Sequence, residues 1–177
     1  ANAVDRLLTR NDLYYLSEMM NFPGVISGSP DVMAKLESAK KNGKVIDGHA
    51  PGLRGADLQK YIAAGISTDH ECFEYEKIKL GMKILIREGS SARNFETLYN
   101  LIDEYPEEVM LCTDDSHPDT LISEGHIDKL IRHGQEKGLD IYNLIRAAVF
   151  NPIEHYGLDV GLLREGDPAD FIIVDDL

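Results

Sequence analysis

The chain has 177 residues, 43% hydrophobic and 28% charged, the make-up of a soluble globular protein with one substantial core. A formal net charge of −13 with 18 Lys and Arg, scattered and not striped, excludes phosphate-backbone (nucleic-acid) binding, which needs clustered cations. No apolar run approaches the roughly 20 residues that span a bilayer, and Cys72 and Cys112 form neither a disulfide framework nor a CxxC word, so reduced thiols in a cytoplasmic protein are expected.

The opening ANAVDRLLTRND has no Met and no signal-peptide core, and reads as a chain entered part-way. Leu13–Ser17 is the first strand candidate. Pro30-Asp31 opens a helix with Val32, Met33 and Leu36 on one side, and Asn42-Gly43 closes it. Lys44–Asp47 is the second strand; Gly55-Ala56-Asp57 then opens a short helix carrying Leu58, Tyr61 and Ile62, stopped by Gly65. Gly65–Thr68 is the third strand, followed by a helix from Phe73 to Leu80. Lys83–Arg87 is the fourth. Ala92–Glu104 places Phe95, Leu98, Leu101 and Ile102 at helical spacing before Pro106, and Val109–Thr113 is the fifth strand.

Beyond Asp115 the alternation stops. Residues 123–138 and 140–150 read as two helices, and Gly157 closes the helical part. Residues 160–177 read as a hairpin around Glu165-Gly166-Asp167-Pro168, with Asp170–Val174 as its second arm. The boundaries expected are therefore 1–158 for an α/β unit and 159–177 for a hairpin entering a small β-domain.

Strand–helix alternation favours parallel pairing with right-handed crossovers. Polar residues stand at every strand end instead of at one switch point, which favours a (β/α)8 TIM-type barrel over an open doubly wound sheet. Five strands do not close such a barrel, and a complete one takes roughly 250 residues. The missing strands are expected upstream in a longer chain.

Glu18 in YYLSEMMNFPG, His49 in KVIDGHAPG, His70 in GISTDHEC and Asp114 in VMLCTDDSHPD end successive strands. Parallel strands present those ends at one edge, so the four would converge there. Singly, such a carboxylate usually caps a helix or is solvated, and such a histidine is usually hydrogen-bonded structure. Four at matching positions point instead to a divalent metal, because imidazoles with carboxylates suit Zn, Mn or Fe. Asp69 or Glu71 could orient an imidazole; Glu71 reads equally as a first-turn helix residue favoured by the dipole. Asp115 adjoins Asp114, so the two diverge and one faces the axis. Arg87 and Ser90 can contact a small ligand, although Ser90 or Ser91 can instead cap the Ala92 helix. His117 reads as a substrate contact or proton relay, or as loop structure.

The set resembles the amidohydrolase superfamily. The words SEMMNFPGVISG, DGHAPGLRG, AAGISTDHE, IREGSSARN, CTDDSHPD, EGHIDKLIR and GDPADFIIVDDL are similar to its bacterial and archaeal adenine deaminases, from about Leu13 to the end. The resemblance implies the C-terminal part of a metal-dependent barrel and the start of a small β-sandwich. It implies a binuclear divalent metal (Mn, Fe or Zn), bridged by Glu18, with His49 and His70 on one ion and Asp114 on the other as proton-shuttling base. The activity implied is hydrolysis of adenine, a small purine, to hypoxanthine and ammonia; a homo-oligomer is expected separately, because an incomplete barrel favours self-association. The family's His-x-His word on its first strand does not occur in these residues and is expected upstream. Two alternatives stand beside this: an amidohydrolase acting on another cyclic amide or amidine, and a non-catalytic scaffold.

Overall fold

The computed structural model describes residues 1–73 and 75–175. Five strands run in chain order: β1 (Tyr15–Met19), β2 (Val45–Gly48), β3 (Thr68–Asp69), β4 (Lys83–Arg87) and β5 (Val109–Cys112). β1 pairs β2, and β3–β4–β5 form a second ladder, all parallel. The two ladders meet where Ser67 N–H donates to Ile46 O at 3.0 Å and Gly48 N–H donates to Thr68 Oγ1 at 3.2 Å. A Cβ on Gly48 would lie 2.2 Å from Thr68 O, so this seam closes only around a residue without one.

The helices are α1 (Asn2–Leu8), α2 (Phe22–Ile26), α3 (Pro30–Lys41), α4 (Gly55–Ala63), α5 (Glu76–Lys79), α6 (Phe95–Leu98), α7 (Leu101–Glu104), α8 (Pro118–Glu124), α9 (Ile127–Glu136), α10 (Ile141–Ile145) and α11 (Asn151–Tyr156). None among the described residues is long and apolar enough to cross a membrane. Strand alternation sends Ile46 toward a core with Leu36, Ala39, Leu58, Tyr61 and Ile66. Ile84, Ile86, Val109 and Leu111 go into a second core with Phe95, Leu98, Ile102, Leu130 and Leu144. Their neighbours along each strand face the other side, which leads up to the polar edge.

The sequence and the structure differ at several boundaries. A register irregularity between Leu16 and Met19 keeps β1 extended to Met19, so Glu18 lies inside the strand. The helix expected from Phe73 shrinks to α5: the Asn94 amide, which also holds the His70 carbonyl at 3.0 Å, takes the Cys72 carbonyl at 3.3 Å, the acceptor of the first bond in a helix starting at Phe73. The helix expected from Ala92 begins at Phe95: Gly89 N–H bonds Ala92 O and Glu88 bridges Arg93, making a tight turn first. It also breaks between α6 and α7. Gly125, at φ 100°, divides residues 123–138 between α8 and α9. The last helix starts at the Asp140 cap, widens to a π turn over Arg146–Phe150 just before Pro152 and ends at left-handed Gly157; the missing Pro N–H interrupts the regular ladder there.

In the expected hairpin, Arg164–Asp167 does turn, with Asp167 accepting from Leu162 N–H at 2.8 Å and Asp170 accepting from Gly161 N–H at 2.9 Å. No strand is present in residues 158–175, and Ile172 and Ile173 are exposed. Two arms with no third layer are marginal on their own. Asp176 and Leu177 of that segment lie outside the described residues.

Candidate metal centre

Each strand delivers one polar residue to the same edge. Glu18 is the last residue but one of β1, His49 follows β2, His70 follows β3, Arg87 ends β4 and Asp114 lies two residues past β5. The first three converge most closely. His49 Nδ1 lies 3.1 Å from Glu18 Oε2 and 3.2 Å from His70 Nε2, and His70 Nε2 lies 3.0 Å from Glu18 Oε2. Donors about 2.1 Å from a common ion and at right angles to one another stand about 3.0 Å apart, so this near-equilateral triangle fits one divalent ion. The donor chemistry fits too: two imidazole nitrogens and a carboxylate oxygen. A second group that could hold an ion is His70, Glu71 and Asp114, with His70 Nε2 and Asp114 Oδ2 3.8 Å apart.

Arg87 closes this second group from below. Its buried guanidinium pairs with Glu71 Oε1 at 2.9 Å and with Asp114 Oδ2. Burial alone disfavours the charge, but the two carboxylates outweigh it and hold the Arg87 pKa above its ordinary value. Arg87 Nε is buried with no partner among the described residues, so a donor remains available to a further acceptor. Glu71 sits before the shortened α5, not in its first turn, and Oε1 reaches within 3.6 Å of His49 Nδ1.

Asp114 adopts φ 52°, a left-handed backbone uncommon outside glycine. That kink separates it from Asp115, whose carboxylate accepts from Ser91 N–H (3.0 Å) and Ala92 N–H (3.2 Å). These amides hold the Asp115 pKa below the usual carboxylate range. The Ser90 hydroxyl is engaged by its own loop neighbours: it lies 3.2 Å from Thr120 Oγ1 and accepts from His117 N–H at 2.9 Å. It caps no helix. His117, exposed at the start of α8, contributes that backbone contact.

Side chains from the helical layer grip the ligand-bearing loops from behind. Tyr61, fully buried on α4, donates to Met19 O at 2.8 Å and accepts from His49 N–H at 3.0 Å. Asn94 holds the His70 carbonyl and, through Oδ1, Arg87 N–H at 2.8 Å. Asp69 and Lys77 form a buried ion pair. Asp69 is not the direct imidazole acceptor its position suggests, because alternation turns it to the helical side while His70 faces the site. Tyr61, Asn94 and Lys77 escape sequence reading: their roles depend on side chains meeting another element's backbone, and no local word marks that.

A profile of the amidohydrolase family matches residues 2–176. The chain belongs to this family. Among its relatives, a protein of Methanosarcina mazei named adenine deaminase is 87% identical, with 99% of this chain covering 32% of that protein. A Salinibacter ruber protein of the same name is 58% identical over 99% of this chain and 33% of its own length. One from Borreliella burgdorferi is 48% identical over 98% and 33%. The chain thus spans about a third of the length of the relatives it matches. The resemblance carried by the strand-end words is borne out, and the α/β architecture with parallel sheets agrees with it.

Proposed function

We propose that the full protein is a metal-dependent hydrolase that converts adenine to hypoxanthine and ammonia, and that this chain supplies the wall of a (β/α)8 barrel bearing much of its binuclear centre. The observation that carries this reading is the Glu18–His49–His70 triangle of donor atoms, 3.0–3.2 Å on a side. The name the relatives carry, adenine deaminase, supplies the substrate.

Glu18 would bridge two ions (Mn, Fe or Zn), His49 and His70 would hold one, and Asp114 the other. A bound divalent ion lowers the pKa of water from about 15.7 to near 7 and so supplies a nucleophile at neutral pH. Asp114 Oδ2, at the rim of the site, is placed to take a proton and pass it to the purine or the departing amine. Arg87 keeps that carboxylate oriented, and Glu71, tied to the same guanidinium, offers a second acceptor beside His49. Ser90, on the loop after β4, and His117, on the loop after β5, are joined to each other and are assigned to the substrate side. The remaining barrel strands, with a His-x-His word, are assigned to the additional length of the relatives. Residues 159–175 would lead into a small β-domain that gives the exposed Phe171–Val174 run a sheet to join. The assembly is a cytoplasmic homo-oligomer in this reading.

In the full-length protein, Asp114→Asn should lower ammonia release from adenine by at least about 100-fold with metal content retained. Asn is the apt replacement because it tolerates the left-handed backbone as Asp does. Near-normal turnover by this variant would sink the assignment of the base. Parallel assays with dihydroorotate and hydantoin separate adenine hydrolysis from action on another cyclic amide, and no hydrolysis with less than one tight metal per chain would favour the scaffold.

A further inference from the structure

We propose that the buried Asp69–Lys77 pair is a positioning device for the two histidines, gripping the residue that follows each of them; this rests on the metal-centre reading above. Asp69 is fully buried and Lys77 is 5% exposed, and their side chains are ion-paired. Both face the helical layer, opposite the site.

Among the described residues, every further hydrogen bond of the two side chains goes to backbone beside a histidine. Asp69 Oδ1 accepts from Ala50 N–H at 3.2 Å and from Glu71 N–H at 3.0 Å. Lys77 Nζ donates to Ala50 O at 2.8 Å. Ala50, which follows His49, is therefore held by both its donor and its acceptor. Glu71, which follows His70, is held by the same carboxylate. The two loops arise 21 residues apart, and among the described residues the seam between β2 and β3 carries one backbone-to-backbone bond, from Ser67 to Ile46, with Thr68 Oγ1 joining Gly48 and Asp47 below the loops. The ion pair is thus the cross-brace that fixes the spacing of His49 Nδ1 and His70 Nε2.

Stability alone does not explain the pair. Desolvating two charges offsets most of their attraction, and apolar side chains of similar volume serve a core equally well. What apolar substitutes cannot do is hold Ala50 and Glu71 by hydrogen bonds. Lys77 reaches the pair from α5, a helix of only four residues. A single helical turn is otherwise a weak anchor for a buried ammonium, and its hydrogen-bond partners are Ala50, just after His49, and Asp69, just before His70.

The test compares Co(II) binding and visible absorption in full-length wild type, Lys77→Gln, Asp69→Asn and the double variant Asp69→Asn/Lys77→Met, with urea unfolding of each apo-protein. The double variant leaves no unpaired buried charge. We expect Co(II) affinity to fall about 10- to 100-fold in Lys77→Gln and in the double variant, with an altered Co(II) spectrum in folded protein. Asp69→Asn keeps an acceptor for Ala50 and Glu71 and should fall between these and wild type. If the Lys77 variants do not fold, Asp69→Asn decides by the same two readouts. Lower urea midpoints with unchanged Co(II) affinity and spectrum would place the pair in the core alone and overturn the proposal. His49→Ala separates the two claims: binding unaffected by that change removes the metal-centre reading itself. Binding abolished by His49→Ala but untouched by the Asp69 and Lys77 variants removes only the positioning role.

Discussion

Asp114 combines two demands in one residue: a carboxylate aimed at His70 and Arg87, and a backbone at φ 52°. For most L-residues that conformation costs roughly 1–2 kcal/mol, and Asp and Asn tolerate it best. Asp114→Ala should therefore be about 1 kcal/mol less stable than Asp114→Asn. Urea unfolding with equal m-values checks this, and equal midpoints would show that the turn relaxes. The four proposed ligands were legible because each ends an apolar run, a position the sequence declares. The backbone angle was not, nor was the partnership of Glu71 with Arg87, since neither residue lies within sequence reach of the other. Asp115 shows the converse: the adjacency of two aspartates foretold that they would diverge, but not that the second would pin residues 91 and 92.

Among the elements, α11 joins the end of the chain to the middle of the sheet. Tyr156 donates to the Asp47 carboxylate at 3.0 Å, its ring meets Tyr15, and His155 Nε2 lies 3.3 Å from Ser67 Oγ. Burial first, and then nearby Lys83, holds the His155 pKa below its ordinary 6.5. A group depressed on folding contributes stability that is complete above its unfolded pKa and is lost as pH falls through the folded value. We expect the urea midpoint to decline from pH 7 toward pH 5, with a smaller decline in His155→Gln; identical pH profiles would show that the imidazole titrates freely. Helices α3 and α4 fell where caps and glycines put them. The others broke for separate local reasons, Asn94 on the Cys72 carbonyl, Gly125 at φ 100° and Pro152 without an N–H, and a hydrophobic period reports none of them.

Across the whole molecule, β1 pairs only with β2 and β5 only with β4 among the described residues. Both outer edges keep backbone groups free for pairing, and Tyr14, Tyr15, Met20 and Phe171–Val174 are exposed. The 177-residue chain should self-associate, its sedimentation coefficient rising with concentration, and Ile172→Lys/Ile173→Lys should weaken this. A single monomeric species at the highest soluble concentration would refute it. Alternation in the sequence was enough to read parallel order, because each helix returns the chain in the same direction. The tail's conformation was not readable, because extended apolar arms take their structure from the layer they meet.

Neighbouring strands are also successive strands, and this orders the birth of the site. As the chain leaves the ribosome, Glu18, His49 and His70 emerge in turn, each on a unit that docks beside the one just made. The three-donor triangle is complete in sequence before β4 and β5 exist, whereas Asp114 comes 44 residues after His70 (114 − 70). A nascent chain would acquire a place to capture an ion before acquiring the carboxylate proposed to use it. Arrested chains of increasing length, assayed for bound metal, should then load before Asp114 is exposed; loading only after Asp114 emerges would mean that the site forms all at once.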